Sequence, residues 1–340
     1  DPVPDALTVV CSGWRGGVTP AEMPLALSSP QDFALGGIAA GALGVAHGFL
    51  RVSGLGCHAL PQPHGISLWR PDLPWTVADA DGPLLELLPK SLWMLGLGHL
   101  GQGYLWSLGL LPYVAPEEAT FLLQDFDRAV NGNRVSGLLC EANNVGKPKT
   151  RMCASWLEDR GFQIVITERP FDSNTKRSGS EPFVACCGFD SAEPRRLLEG
   201  AGFDYIIECA LGDDTASFDR VILHTFPDAT RKPQEIWVEH SQQQPEVNII
   251  EAFKTEGDCG ILAETLARKA VSSSFVGAFA GAMLTGELLR ALHGGVRCEL
   301  IQMHLRHVDQ PGVILRPENY LLRVARSGYT SARVAEAKAA

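Results

Sequence analysis

The residues best suited to chemistry in this 340-residue sequence are Gly96-Leu-Gly98-His-Leu-Gly101 and, further on, Asp125-Phe-Asp127. The first group has the form G-x-G-x-x-G. Gly96 permits a tight turn, Gly98 lets the backbone approach a phosphate, and Gly101 lets a following helix lie close to a preceding strand. The N-terminus of that helix adds N–H donors and the positive end of its dipole. Read alone, such a turn is either a phosphate cradle or a structural glycine bend. Asp125-Phe-Asp127 ends a predicted strand, where an acidic side chain accepts hydrogen bonds from ribose hydroxyls; a solvated strand end is the plainer alternative.

Other reactive residue types are less organised. Nine cysteines, an odd number, are nowhere spaced C-x-x-C, which argues against both a disulfide framework and a structural zinc site. Cys186, Cys187 and Cys209 lie in apolar runs and are expected in the core. His99, inside the glycine turn, is either a phosphate contact or a packed or solvated turn residue. His224, His240, His304 and His307 share no metal spacing, so no histidine metal site is expected.

These residues need a scaffold that presents them together. Leu92–Leu95, Thr120–Gln124, Gln163–Glu168, Phe183–Cys187 and Tyr205–Glu208 read as strands, and Gly101–Leu110, Lys149–Arg160, Pro194–Ala201 and Val276–Leu292 as helices. Short apolar runs separated by helices imply an α/β class, a Rossmann-like, mostly parallel sheet with helices on both faces. Residues 1–87 read as an N-terminal helical and loop appendage, with a strand at Leu7–Cys11 and a small-residue helix from Asp32 to Arg51. Residues 88–330 form the Rossmann-type domain in this reading, and 331–340 a tail. The most apolar window, Phe33–Leu50, holds many Gly and Ala residues and His47; by that composition it is too short and too weakly hydrophobic to span a bilayer.

Counted on from Asp125, Asn133 and then Val145-Gly146-Lys147-Pro148-Lys149 follow in an order that resembles one adenylating family. That family includes the thiamine and molybdopterin ThiF/MoeB enzymes and the ubiquitin-activating enzymes, and its pattern runs G-x-G-x-x-G, D-x-D, N-x-x-R-Q, G-x-P-K. Phe275 to Gly281, continuing through Glu287 and Arg290, is similar to the family's late small-residue helix. The resemblance, as a divergent bacterial-type member, implies ATP and Mg2+ as cofactors. It also implies adenylation of the C-terminal carboxylate of a small ubiquitin-like or sulfur-carrier protein.

In that scheme Gly96, Gly98 and Gly101 cradle phosphates, Asp125 holds the ribose with Asp127 beside it, and Asn133 and Lys149 position the triphosphate. Lys149 would also offset charge that develops during attack. Cys259 is the best placed cysteine to accept the activated protein as a thioester. The resemblance further implies a homodimer, with Trp14, Arg15 or Arg51 reaching across it, although surface solvation is the plainer role for those three. A conjugating-enzyme-like partner belongs to the same scheme. Two positions depart from the pattern. Ser136 stands at the family Arg, with Asn131 and Arg134 as a gapped alternative, and Leu211 stands at the magnesium-binding Asp, which leaves Asp213 or Asp214 as the metal ligand.

Composition narrows the partners. With 29 basic and 39 acidic residues the net charge is -10, which excludes a broad electrostatic grip on nucleic acid. We expect neither a nucleic-acid nor a membrane partner, and a cytoplasmic location, since Asp1-Pro-Val-Pro-Asp5 lacks a signal pattern. Besides the adenylyltransferase, two functions stand open. One is a catalytically degenerate nucleotide-binding scaffold of the same fold, favoured by Ser136 and Leu211. The other is a NAD-dependent oxidoreductase, which the glycine turn alone would suit but which has no use for Asn133 or Lys149.

Overall fold

In the computed structural model, which describes residues 6–54, 60–212, 217–228, 230–237, 273–316 and 320–333, the chain opens with an antiparallel hairpin. Its strands are β1 (Leu7–Ser12) and β2 (Arg15–Pro20), and helix α1 (Ala34–Val52) and strand β3 (His64–Ser67) follow. β3 pairs with β2, so the sheet order is β1-β2-β3. The predicted strand at Leu7–Cys11 and helix at Asp32–Arg51 are present. β2 escapes prediction because Gly16, Gly17 and Pro20 read as loop. Here the glycines serve close packing: a methyl group at Gly16 would collide with the Gly36 carbonyl of α1, and one at Gly17 with the His64 carbonyl of β3.

After the short strand β4 (Leu87–Pro89) comes β5 (Ser91–Leu95), whose glycine turn opens α2 (His99–Gly109). Then follow β6 (Thr120–Gln124), the one-turn helix α3 (Asn133–Ser136), α4 (Lys149–Glu158), β7 (Gln163–Thr167), β8 (Val184–Cys187), α5 (Ala192–Arg196) and β9 (Tyr205–Leu211). All pairings among these sheet strands are parallel, in the order β7-β6-β5-β8-β9. The chain leaves β5 toward β6 on one side and returns at β8 on the other. A crevice therefore opens beyond the C-terminal ends of β5 and β8, the switch point where such sheets take their ligands.

The sheet then grows by an antiparallel extension. β10 (Arg220–Phe226) pairs with β9, and after helices α6 (Pro233–Ile236) and α7 (Ser274–Leu292) come β11 (Arg297–His304) and β12 (Gly312–Arg316), giving eight strands. The chain ends, as described, with α8 (Leu321–Ala325) and β13 (Tyr329–Ser331), which pairs with β4. The mixed α/β class with a mostly parallel sheet agrees with expectation, while β10 to β12 were unforeseen.

Alternate residues of each strand feed two apolar layers. Met94, Leu123, Cys186 and Ile207 belong to the layer of α2, α4 and α7, while Trp93, Leu122, Ala185 and Ile206 face the α5 side. Cys186, Cys187 and Cys209 are all buried, as their apolar surroundings predict. Helix α7 is buried at every residue from Phe275 to Leu292 and packs on both α1 and α2. By length and composition, α1 and α7 are each apolar enough to cross a membrane, with the α7 window wholly and the α1 window half buried in the protein. The Phe33–Leu50 window reads as too short and too weakly hydrophobic to span a bilayer, but α1 has 19 residues and runs on to Val52.

Candidate functional site

The glycine turn gives each of its glycines a distinct duty. Gly96 has φ +79°, and a methyl group there would press the Gly188 carbonyl oxygen at 3.0 Å. An L side chain avoids that left-handed backbone. Gly101 lies so close under the turn that a methyl group would collide with the Gly96 carbonyl oxygen. Gly98, the residue before α2, has nothing within 4 Å of where a side chain would start. The open position faces the helix N-terminus, where the first-turn N–H groups have no intrahelical acceptor and no side chain caps them. This is the geometry an anion needs.

Asp125 holds the turn in place. It is only 9% exposed; its Oδ2 accepts the Leu97 N–H at 2.6 Å and its Oδ1 the Asp127 N–H at 2.7 Å. Burial raises its pKa, against the pull of Lys149 and these two N–H donors. The carboxylate thus binds the glycine turn to the end of β6, and any ribose contact uses its remaining lone pairs.

Lys149 reaches the same spot from α4. Its Nζ donates to Asp127 Oδ2 at 2.7 Å, and its backbone N–H to the Asp127 carbonyl at 2.9 Å. Ala129 and Gly146 exchange similar bonds with the other strand of this small ladder, the Ala129 N–H to the Lys147 carbonyl and the Gly146 N–H to the Ala129 carbonyl, both at 2.8 Å. Asp127 and Lys149, distant in sequence, therefore form one acid–base pair beside the glycine turn. Asn133 opens the one-turn helix α3, and its Oδ1 accepts the Val130 N–H at 2.9 Å, which shapes the entry to that helix. Ser136 bonds to the Gly132 carbonyl at 3.2 Å, and Arg134 is exposed on the same turn.

Gln102 belongs to the site although its position in the sequence does not announce it. Fully buried, it donates to the Leu97 carbonyl at 3.2 Å and accepts the Leu139 N–H at 3.0 Å, tying the glycine turn to the segment after α3. An amide among the small and apolar residues of α2 was the available signal. His99 takes the packed alternative: its Nε2 bonds to the Ser273 carbonyl at 2.8 Å, its ring lies against Gly277 of α7, and burial pushes its pKa down to about 4.

Beyond the switch point, the other face of the sheet carries a buried ionic group. Glu208 is wholly buried and accepts from Arg195 and, at 3.0 Å, from the Trp237 Nε1–H, with His224 Nδ1 3.7 Å away. Arg195 also donates to the Phe189 carbonyl, next to the Gly188 that abuts Gly96. The pair fixes the exit of β8 beneath the glycine turn.

Other expected positions fall elsewhere. Leu211 ends β9 as a partly buried apolar residue, and Asp213, Asp214 and Cys259 lie outside the described residues. Trp14 and Arg15 are not surface residues. The Trp14 indole donates to the Pro83 carbonyl at 2.8 Å, and the Arg15 guanidinium to the Ser28 carbonyl at 2.6 Å, because α1 and the 80–83 turn close over them.

A phosphate-ready turn at the switch point of a parallel sheet, with a strand-end carboxylate and a helix-start lysine beside it, defines the nucleotide-binding α/β fold of E1-like adenylating proteins. Within that class the chain belongs to the BilD family: the profile of the BilD C-terminal domain matches residues 88–295 and that of the N-terminal domain residues 1–68. A relative, the bacterial E1-like protein BilD of Collimonas sp. (strain OK412), is 38% identical over 302 residues, which are 87% of this chain and 65% of that protein's length. The chain thus spans just under two thirds of this relative. Among solved structures, E. coli MccB is 15% identical, with 67% of this chain and 63% of that one covered and a TM-score of 0.43. PaaA is 12% identical over 67% and 64% with a TM-score of 0.45, and E. coli tRNA N6-threonylcarbamoyladenosine dehydratase, TcdA, 13% over 59% and 85% with a TM-score of 0.38.

Proposed function

We propose that this chain binds ATP with Mg2+ in the crevice above Gly96–Gly101 and adenylates the C-terminal carboxylate of a small ubiquitin-like or sulfur-carrier protein. The observation that carries the reading is the convergence of Lys149 and Asp127 on the open N-terminus of α2. Phosphates settle on the α2 N–H groups at Gly98, and the Lys149 cation lies where negative charge accumulates as the α-phosphorus is attacked. The carrier carboxylate forms the new bond to that phosphorus while the bond to pyrophosphate breaks. Positioning and electrostatics supply the catalysis. Asp213 is the acid assigned to magnesium, since Leu211 offers no ligand, and Cys259 the acceptor of a later thioester. A homodimer, a conjugating-enzyme-like partner and a cytoplasmic location complete the proposal, as does the division into residues 1–87, 88–330 and 331–340.

ATP–pyrophosphate exchange in the presence of the candidate carrier tests it. Exchange should depend on both the carrier and Lys149, and Lys149→Ala should reduce it by at least about a hundredfold; full exchange in that variant would remove Lys149 from the mechanism. Leu211, an apolar side chain at the position of the metal-binding acid, favours a second reading. In it the chain is a nucleotide-binding scaffold, which predicts ATP binding without exchange.

A further inference from the structure

We propose that strand β7 pairs edge to edge with β7 of a second copy of this chain, antiparallel and centred on Val165, so that two eight-stranded sheets join across a twofold axis. Such pairing gives the homodimer proposed above a surface and does not depend on adenylation. β7 is the last strand of its sheet and pairs, among the described residues, only with β6. The Gln163 N–H bonds to the Ala119 carbonyl, and the Thr167 carbonyl accepts the Asp125 N–H. Backbone direction alternates along a strand, so Gln163, Val165 and Thr167 turn their groups toward β6, and Ile164 and Ile166 turn theirs away. Two N–H and two C=O groups therefore line the outer edge.

Natural sheets blunt such an edge with charge, proline or a bulge. The sequence of β7, Gln-Ile-Val-Ile-Thr, carries no charge and no proline, and its register against β6 is unbroken. At the other end of the sheet β12 ends on Arg316, and its ladder with β11 shifts register between Cys298 and Leu300. One edge is guarded and the other is open. The occupant of the open edge follows from symmetry. With Val165 opposite Val165 of the second copy, Ile164 of each chain meets Ile166 of the other, and these outward-turned residues exchange both of their bonds, four in all. A shift by one residue would set outward groups against inward ones. Side chains match in the same register: Gln163 stands beside Thr167, Ile164 beside Ile166 and Val165 beside its own copy. Ile164 and Ile166 already pack on the core, whereas Val165 is 48% exposed, so pairing covers apolar surface that is otherwise in water.

Charge agrees with the symmetry. Helix α4 leads into β7 through a short turn and packs back on it. Arg151 Nε donates at 2.9 Å to Glu168, just beyond the end of β7. Glu158 lies two turns further along the same stripe of α4, and both Arg151 and Glu158 are exposed. A twofold axis through Val165 sets the two α4 helices antiparallel. The basic end of one then comes beside the acidic end, Glu158 and Asp159, of the other.

Sedimentation equilibrium of the full chain over a concentration series should show a monomer–dimer equilibrium. Val165→Lys sets two cations face to face at the axis and should raise the dimer dissociation constant by at least about tenfold, while Val165→Thr should leave it near that of the parent. Mild oxidation reads the register. Val165→Cys should give a disulfide-linked dimer, because a pair of this kind brings its Cα atoms to about 4.5 Å. Gln163→Cys should not, since its own copy lies about 13 Å away along the strand. The parent chain, with its own cysteines, is the blank. Should Val165→Lys fail to fold by circular dichroism, the two cysteine variants decide. A monomer at every concentration, a dimer untouched by Val165→Lys, or equal crosslinking of the two cysteine variants would overturn the proposal.

Discussion

A single methyl group separates the duties of the turn glycines. At Gly101 it would be driven into the Gly96 carbonyl, whereas at Gly98 it would point into open space. Gly101→Ala should therefore lower stability by about 1–3 kcal/mol, the range of forced overpacking. Gly98→Ala should leave the thermal midpoint near that of the parent and weaken ATP binding instead, because the methyl group occupies the space a phosphate needs. Thermal unfolding and an ATP titration on the two variants read these outcomes separately. In the fold Asp125 bonds to the turn that the three glycines shape, and Lys149 pairs with Asp127 next to it. Asp125 spends both oxygens on backbone N–H groups, however, so its first role is to hold the turn. Gln102 was hidden, since its meaning depends on Leu139, far along the chain.

At the scale of elements, buried charge does work that hydrophobic pattern cannot reveal. Arg195 and Glu208 connect α5 to β9 under the glycine turn. Removing one partner strands the other in the core, so Arg195→Met should cost about 3–5 kcal/mol, while the double change Arg195→Met with Glu208→Gln should recover much of the loss. Denaturant titrations of both variants check this. A second junction is the crossing of α2 and α7, where a methyl group on Gly281 would collide with the Gly103 carbonyl. Gly281→Ala should lower the unfolding free energy by about 1–3 kcal/mol and loosen the turn that α2 continues. Elements with a continuous apolar run, β5, β6 and β8, were legible from sequence. β11 was not, because it buries Arg297 and Glu299, and β2 was not, because its glycines look like loop.

For the whole molecule, acid acts through histidines held neutral. His99 and His224 both have their pKa pushed down to about 4 by burial, from an ordinary value of 6.5. Between those values the unfolded chain binds more protons than the folded one, so stability is full above about pH 6.5 and falls as the pH drops toward about 4. Denaturation midpoints should decline across that window at constant ionic strength, and His224→Gln should flatten the decline; a level profile in the parent would contradict the burial of both rings.

Helix α7 also fixes when the crevice at the glycine turn can exist. His99 is anchored to Ser273, and α2 packs along α7, which begins only at Ser274. During synthesis the glycine turn, α1 and α2 leave the ribosome long before the helix that covers them. The nascent chain therefore carries two uncovered apolar helices until late in translation. A ribosome-bound chain stopped after residue 150 should be protease-sensitive and bind no ATP, and one extended past residue 316 should resist protease.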